Sequence, residues 1–345
     1  MDQGNLQESG NSSPEHSEGI RVGRELLAAT KPYVEESAAT SWWYVGSTFG
    51  LMIAALTAAG VIPWWPLRVV FSVLGGLLMV RAFITFHDYL HGAILKDSRI
   101  AYWLFHAYGA LTLTPTRSWL ASHNYHHGHV GQISSASVGA FPLITARMWR
   151  ESTWWQRFAY RAQRNPMVVL LSYPIVFGLN ITLIPLLKDP GKHFDSLIAL
   201  LSHFGLIAVL WMLGGFSLVF FVILLPMTLA SAMGCYLFFA QHSFRRMKIA
   251  SSEDWTFYRG AMESSSFMRM NRVMQWFTGN IGFHHIHHLN VRIPFYRLPD
   301  VMAAIPELQS PITTTLAPGD IADCFRYALW DEDKQRMVSY REARG

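Results

Sequence analysis

Apolar stretches near 20 residues constrain this chain more than any other feature; they fall at about 43–61, 67–86, 167–187, 197–213 and 216–240. Wound as an α-helix, a run of that length matches a hydrocarbon layer about 30 Å thick. Inside such a layer every backbone N–H and C=O must be bonded within its own segment, which selects helices. Trp42 and Trp43 precede the first stretch and Trp64 and Trp65 follow it, so amphipathic indoles mark both of its interfaces. With 51% hydrophobic residues among 345, the chain reads as an all-α integral membrane protein. Residues 1–30 are polar and rich in Ser, Gly and Glu, without a secretory signal, and read as a disordered tail. The rest is expected to form one domain over 31–310, with 311–345 as a mixed, partly helical extension capping the same unit on the cytoplasmic side.

Histidine supplies the chemistry. Nine of the fifteen histidines lie in three five-residue windows, HDYLH (87–91), HNYHH (123–127) and HHIHH (284–288). On a helix, positions i, i+3 and i+4 share a face, so His123, His126 and His127 project together, as do His284, His287 and His288, while His87 and His91 form an i, i+4 pair. Imidazole suits iron, zinc, copper and nickel, and three such faces converging point to a metal centre. Only two cysteines occur, Cys235 and Cys324, too few and too far apart for a disulfide framework or a thiolate site.

Charge and parity set the expected topology. The net charge of +5 gathers at Arg147, Arg150, Arg157, Arg161 and Arg164 and again at Arg245, Arg246, Lys248, Arg259, Arg269 and Arg272, whereas the connections at 61–66 and 214–215 carry no basic residue. These basic stretches alternate with Trp and Phe beside apolar segments, as headgroup-level anchors do, and do not form a nucleic-acid-binding patch. Arg81 sits near the end of its stretch, placed to snorkel or pair. Residues 100–113 are apolar but short, consistent with an interfacial or re-entrant helix leading to the second window. If all three windows bind one centre, an even number of crossings separates His127 from His284. The stretch 167–187 is the one to demote, because Pro174, Gly178, Asn180 and Pro185 interrupt it. Four spans then remain, with Gly214-Gly215 as a far-side turn. Both termini, the histidine windows and the arginines lie on one side, which the positive-inside rule makes cytoplasmic.

These residues resemble the membrane fatty acid desaturases and their hydroxylase relatives, a family marked by three histidine boxes on a four-span bundle. The resemblance runs from about residue 25 to 310 and is most specific in WFTGNIGFHHIHHLNVRIPFYRLP (276–299), which is similar to the third box of bacterial and chloroplast acyl-lipid delta-12 (omega-6) desaturases. The QHSF string (241–244) matches a further histidine that the family places just beyond the last span. The resemblance implies a di-iron site on His87, His91, His123, His126, His127, His242, His284, His287 and His288. It also implies O₂ as co-substrate, a long-chain fatty acyl lipid as substrate, a cis double bond as product and a bacterial inner-membrane location. Asp88, Asp254 and Asn280 are candidates to orient the ligands. His106 and His203 read as hydrogen-bonded structural residues, His193 as a loop residue and His16 as part of the tail, while His129 and His285 border the boxes. No His-Pro-Gly-Gly haem signature or Cys-rich iron–sulfur motif is visible, so two electrons are expected from a separate ferredoxin or cytochrome b-type donor.

The first box carries Tyr89-Leu90 where the commonest acyl-lipid pattern has Cys-Gly, and HDxxHG also occurs in carotenoid-modifying relatives. A lipid or carotenoid hydroxylase or ketolase is therefore the alternative within the superfamily. A haem membrane cytochrome would need axial pairs from facing helices and would not call for H-x-x-H-H twice. A zinc transporter would hold its ligands near the midplane in broken helices, whereas these boxes sit beyond span ends.

Overall fold

The computed structural model describes residues 21–133, 142–251 and 253–344 and is mostly helical. Among the described residues, three helices are long and apolar enough to cross a membrane: Ala38–Val61, Trp65–Leu90 and Phe194–Ala240. The first begins where the Ser37 hydroxyl accepts the Thr40 N–H, satisfying one of the free donors of the first turn. Pro66 then starts the second, its fixed φ suited to a first turn that needs no N–H from it. Val45, Phe49, Met52, Ala55 and Ala59, spaced three or four apart, are buried on one stripe of the first helix. The first four pack with Leu78, Met79, Ala82 and Phe86 of the second in one apolar cluster. The opposite side leaves Trp43, Leu51 and Ile53 exposed, the pattern of a helix that faces lipid.

The 47-residue third helix is not continuous. Gly214 (φ −154°, ψ 16°) and Gly215 (φ 61°, ψ −160°) break its backbone, and the positive φ at Gly215 is one that glycine adopts without steric cost. Beyond the break, Arg68 donates to Ser217 Oγ at 2.8 Å and Ser72 Oγ donates to the Phe221 carbonyl at 2.7 Å. A Cβ on Gly76 would stand 2.9 Å from the Pro226 carbonyl oxygen. These contacts advance in step along both partners, so the part after Gly215 runs alongside Trp65–Leu90 in the same direction. Before the break, His203 Nδ1 lies 2.7 Å from the Leu111 carbonyl oxygen, and Asp195 accepts the Arg117 N–H at 2.8 Å.

The stretch 167–187 is not among the long apolar helices. It consists of Pro166–Leu170, a wide-turned π-helix Tyr173–Leu183 and Ile184–Lys188, each with a proline in its first two positions. Residues 100–113 form a short helix, Arg99–Leu111, capped by Ser98. Arg81 neither snorkels nor meets a carboxylate. It is buried, donates to Thr48 Oγ1 at 3.1 Å and to the Trp276 carbonyl, and stacks over the Trp276 ring at 4.2 Å. It thereby ties the first two helices to the segment that precedes the third histidine box.

Two expectations are corrected. The fold is not purely helical: Phe267–Arg269 pairs in parallel with Thr313–Thr315, and Tyr327–Asp331 sits between Ile144–Thr145 and Arg336–Ser339 in a three-stranded sheet. Residues 313–339 are thus joined by strand pairing to the segments at 144–145 and 267–269. The expected tail at 1–30 is also too long. Residues 1–20 lie outside the described residues, but Arg24–Ala29 is a helix with Leu26 fully buried, and Arg21 meets Glu307 at 2.7 Å.

The close approach at Gly76 predicts a cost for any larger side chain there. Gly76→Leu should destabilise the purified protein by about 1–3 kcal/mol through overpacking. Gly46→Leu, at a position with nothing within 4 Å of a new Cβ, should leave the melting temperature in detergent nearly unchanged. Equal melting temperatures for the two variants would contradict the packing described.

Candidate metal centre

Each histidine box sits at a helix end or on a short helix. His87 lies in the last turn of Trp65–Leu90 and His91 caps it, Gly92 then turning the chain away with φ +65°. His123, His126 and His127 project from Thr116–His129, and His284, His287 and His288 from the six-residue helix His284–Leu289. His242 follows directly on the helix that ends at Ala240.

The structure brings all nine together and sorts them into two groups. His87, His91, His123, His127 and His287 form one and His126, His242, His284 and His288 the other, the ring nitrogens of each lying within 4.8 Å of one another. The i, i+4 pairs 87/91, 123/127 and 284/288 each serve a single group. The i+3 residues of the second and third boxes, His126 and His287, cross to the other one, so each H-x-x-H-H helix contributes to both groups. The groups adjoin, with the rings of His127 and His288 stacked 4.2 Å apart.

The nitrogen spacing tests whether a cation fits. In the second group five Nε2–Nε2 separations lie between 2.8 and 3.3 Å. A ring nitrogen offers one in-plane lone pair or one N–H, so four of them can make at most two hydrogen bonds. The remaining contacts would set lone pair against lone pair or N–H against N–H. A metal bound at about 2.0–2.1 Å from each imidazole would place neighbouring nitrogens about 2.8–3.4 Å apart, which matches. In the first group His87 and His127 each approach His123, and His287 approaches His127, at similar separations of 2.9–3.2 Å, and His91 Nε2 is buried without a hydrogen-bond partner.

The outer ring nitrogens show what fixes these rings. Asp88 is buried, and its Oδ1 lies 3.0 Å from His87 Nδ1 while its Oδ2 accepts the Phe295 N–H at 2.6 Å. His242 Nδ1 faces the Ser264 carbonyl at 3.0 Å, so it carries the proton and leaves Nε2 free to ligate. Burial pushes His91 and His242 down to about 4 and holds His126, His127, His284, His287 and His288 well below the ordinary imidazole range, the neighbouring imidazoles adding to the effect. Neutral imidazole is the form that binds metal.

Other sequence candidates fall elsewhere. Asp254 is exposed and bonds Ser251, away from the nine histidines. Asn280, at φ +56°, donates to the Phe295 carbonyl and to no imidazole. His129 is exposed and folds back on the Tyr125 carbonyl, and His285 is buried against the Leu308 carbonyl. His106, His193 and His203 each bond a neighbouring carbonyl or hydroxyl, while His16 lies outside the described residues. Sequence reasoning missed Trp119, stacked on His123 at 4.3 Å, and Phe238, 4.7 Å from His126. The available signal was spacing: each stands four residues before a clustered histidine, at 123 on the same helix and at 242 just past a helix end.

A cavity of about 370 Å³ opens beside both groups. His87, His123 and His284 border it, and Met79, Phe83, Met227, Cys235 and Phe238 are among its largely apolar walls. It extends from the histidines between Trp65–Leu90 and the part of the third long helix after Gly215.

Comparison with known proteins gives a single answer. The description "Fatty acid desaturase" matches residues 63–314. A fatty acid desaturase of Bacillus subtilis is 30% identical over 85% of this chain and 82% of its own length. An sn-1 acyl-lipid omega-3 desaturase (ferredoxin) of Nostoc is 24% identical over 74% of the chain and 72% of its own, and an sn-1 oleoyl-lipid 12-desaturase of Synechocystis is 22% identical over 81% and 80%.

The depressed imidazoles predict an acid-labile fold. Between the unfolded value near 6.5 and a folded value of about 4, the unfolded chain takes up protons that the folded chain does not, so stability rises with pH across that window. Each such histidine contributes fully above about pH 6.5 and progressively less as pH falls toward 4. Melting temperatures of the metal-free protein should therefore drop between pH 6.5 and 4. A flat profile there would contradict the buried neutral histidines.

Proposed function

The chain belongs to the fatty acid desaturase family, whose members are oxidoreductases, and on that premise we propose that it binds two irons and inserts a cis double bond into a long-chain fatty acyl lipid. The observation that carries the reading is the division of nine buried imidazoles into two adjoining groups at the end of an apolar cavity. Iron in these groups would supply the O₂ activation and hydrogen abstraction that no side chain can perform. Overall, one O₂, two electrons and two protons convert a –CH₂–CH₂– unit into –CH=CH– and two waters. The protein's part is positioning. Phe83, Trp119 and Phe238 wall an apolar slot that aligns one stretch of acyl chain beside His87, His123 and His284 and keeps water from it. Asp88 and the Ser264 carbonyl hold their imidazoles in the ligating tautomer.

The first group of ligands is His87, His91, His123, His127 and His287, and the second His126, His242, His284 and His288. Electrons come from a separate carrier, of ferredoxin or cytochrome b type, in keeping with the ferredoxin and cytochrome b5 in two relatives' names. Hydroxylation or ketolation is not favoured, since the relatives are desaturases by name despite Tyr89-Leu90 in the first box. Residues 31–310 form the desaturase unit and 311–345 its extension. The bundle has four spans, the third long helix being two that turn at Gly214-Gly215. This assignment rests on the Arg68–Ser217 and Ser72–Phe221 contacts after the break and the Asp195–Arg117 contact before it. The positive-inside rule puts the histidines and both arginine-rich stretches in the cytoplasm of a bacterial inner membrane.

Expression in a host of defined lipid composition, read by mass spectrometry of fatty-acid methyl esters, should give a product two hydrogens lighter, without label from ¹⁸O₂. His126→Ala and His287→Ala, one from each group, should each abolish it while leaving membrane insertion intact and lowering bound iron. A predominantly ¹⁸O-labelled product would replace desaturation by oxygenation, and full activity in either variant would remove the ligand assignment.

Cysteine scanning checks the topology. A Leu213→Cys protein should react with an impermeant maleimide from outside the cell, and Lys188→Cys only after permeabilisation. Reaction of both from the same side would overturn the four-span arrangement.

A further inference from the structure

Helix Trp154–Gln163 carries part of the first arginine-rich stretch, whose charge has so far served only to set orientation. Thr153 and Gln156 close a capping box at its start, and Trp154, Trp155 and Phe158 stand 65%, 61% and 61% exposed on its surface. Beside them lies a groove of about 530 Å³ lined by Trp149, Arg150, Trp154, Arg157, Phe158 and Arg161. Among the described residues none of these three arginines has a carboxylate partner, whereas Arg147, Arg259 and Arg336 each do. They are nevertheless held in place. Arg157 donates to the Trp149 and Arg150 carbonyls at 3.0 and 2.7 Å, and its guanidinium lies 5.6 Å from the Trp149 ring. Arg161 sits 4.9 Å from the same ring and 5.0 Å from Tyr340.

We propose that this groove binds the anionic phosphodiester headgroup of a bilayer phospholipid. Unpaired guanidiniums clustered around one indole present fixed donors to phosphate oxygens. The exposed rings beside them distinguish a lipid from an acidic protein. Trp154, Trp155 and Phe158 continue into Met167, Leu170 and Leu171, also exposed, where the chain enters its apolar stretch. A bilayer covers that apolar surface and supplies phosphate at the level of the arginines, whereas an acidic soluble partner matches the arginines alone. Gln163, on the same helix, borders the cavity that reaches His87 and His123, so a lipid seated in the groove lies beside that cavity. The inference holds whether or not the bound lipid is the one oxidised.

The test is lipid retention by the purified full-length protein, read by native mass spectrometry after exchange into mixtures of phosphatidylglycerol and phosphatidylcholine. Wild type should retain phosphatidylglycerol in preference. In Arg150→Gln/Arg161→Gln that preference should fall by about tenfold or more, two surface cations having been removed. Arg147→Gln, outside the groove, should keep it. If the double variant melts at a lower temperature, Arg161→Gln alone, which removes ring contacts but no hydrogen bond, carries the comparison. Equal retention of the two lipids by wild type would overturn the proposal, as would an intact preference in the folded variants. Loss of binding to an acidic ferredoxin with lipid preference unchanged would reassign the groove to a protein partner and overturn it equally.

Discussion

The structure turns on buried ring nitrogens whose lone pairs have nowhere to go except toward one another. Leaving a buried polar atom unsatisfied costs about 1–3 kcal/mol, and the second group alone brings four Nε2 atoms to mutual distances that hydrogen bonding cannot satisfy. A cation at the centre of each group would remove the conflict. Much of the surrounding architecture serves that convergence. The second long helix and the part of the third after Gly215 run in the same direction and deliver His87, His91 and His242 to the same end, while Arg81 secures the segment that leads into His284–Leu289.

Eight of the nine clustered histidines could be read from helical spacing, because i, i+3, i+4 puts rings on one side whatever surrounds them, whereas His242 was legible only through the QHSF resemblance. Their division into two groups could not be read. The ring at i+3 and the ring at i+4 lie on one face but about 100° apart around the axis, and which neighbour each meets depends on how four separate segments dock. The interrupted stretch at 167–187 was legible because proline acts locally, through its ring and its missing N–H.

The cap was harder to read. Its strands run two to five residues, too short for an alternating pattern to rise above chance, and two of their pairings join segments more than 40 residues apart. Leu26 is one apolar side chain in a polar neighbourhood, and its burial depends on the distant segment around Glu307 that Arg21 engages. Asp254 and Asn280 were chosen for residue type near the boxes. Asp88 is distinguished by reaching the Phe295 N–H, a contact made across 207 positions of sequence.

The interleaving of the boxes also bears on how the chain is made. The first group takes rings from residue 87 to residue 287, and the second is not complete until residue 288. At about 5–20 residues per second, a ribosome takes about 10–40 s to travel from the first box to the third. During that interval the earlier imidazoles are without their later partners. Four of the five rings of the first group precede residue 128, whereas two of the four in the second belong to the third box. The first group can therefore gather most of its rings early in synthesis, whereas the second waits for the third box.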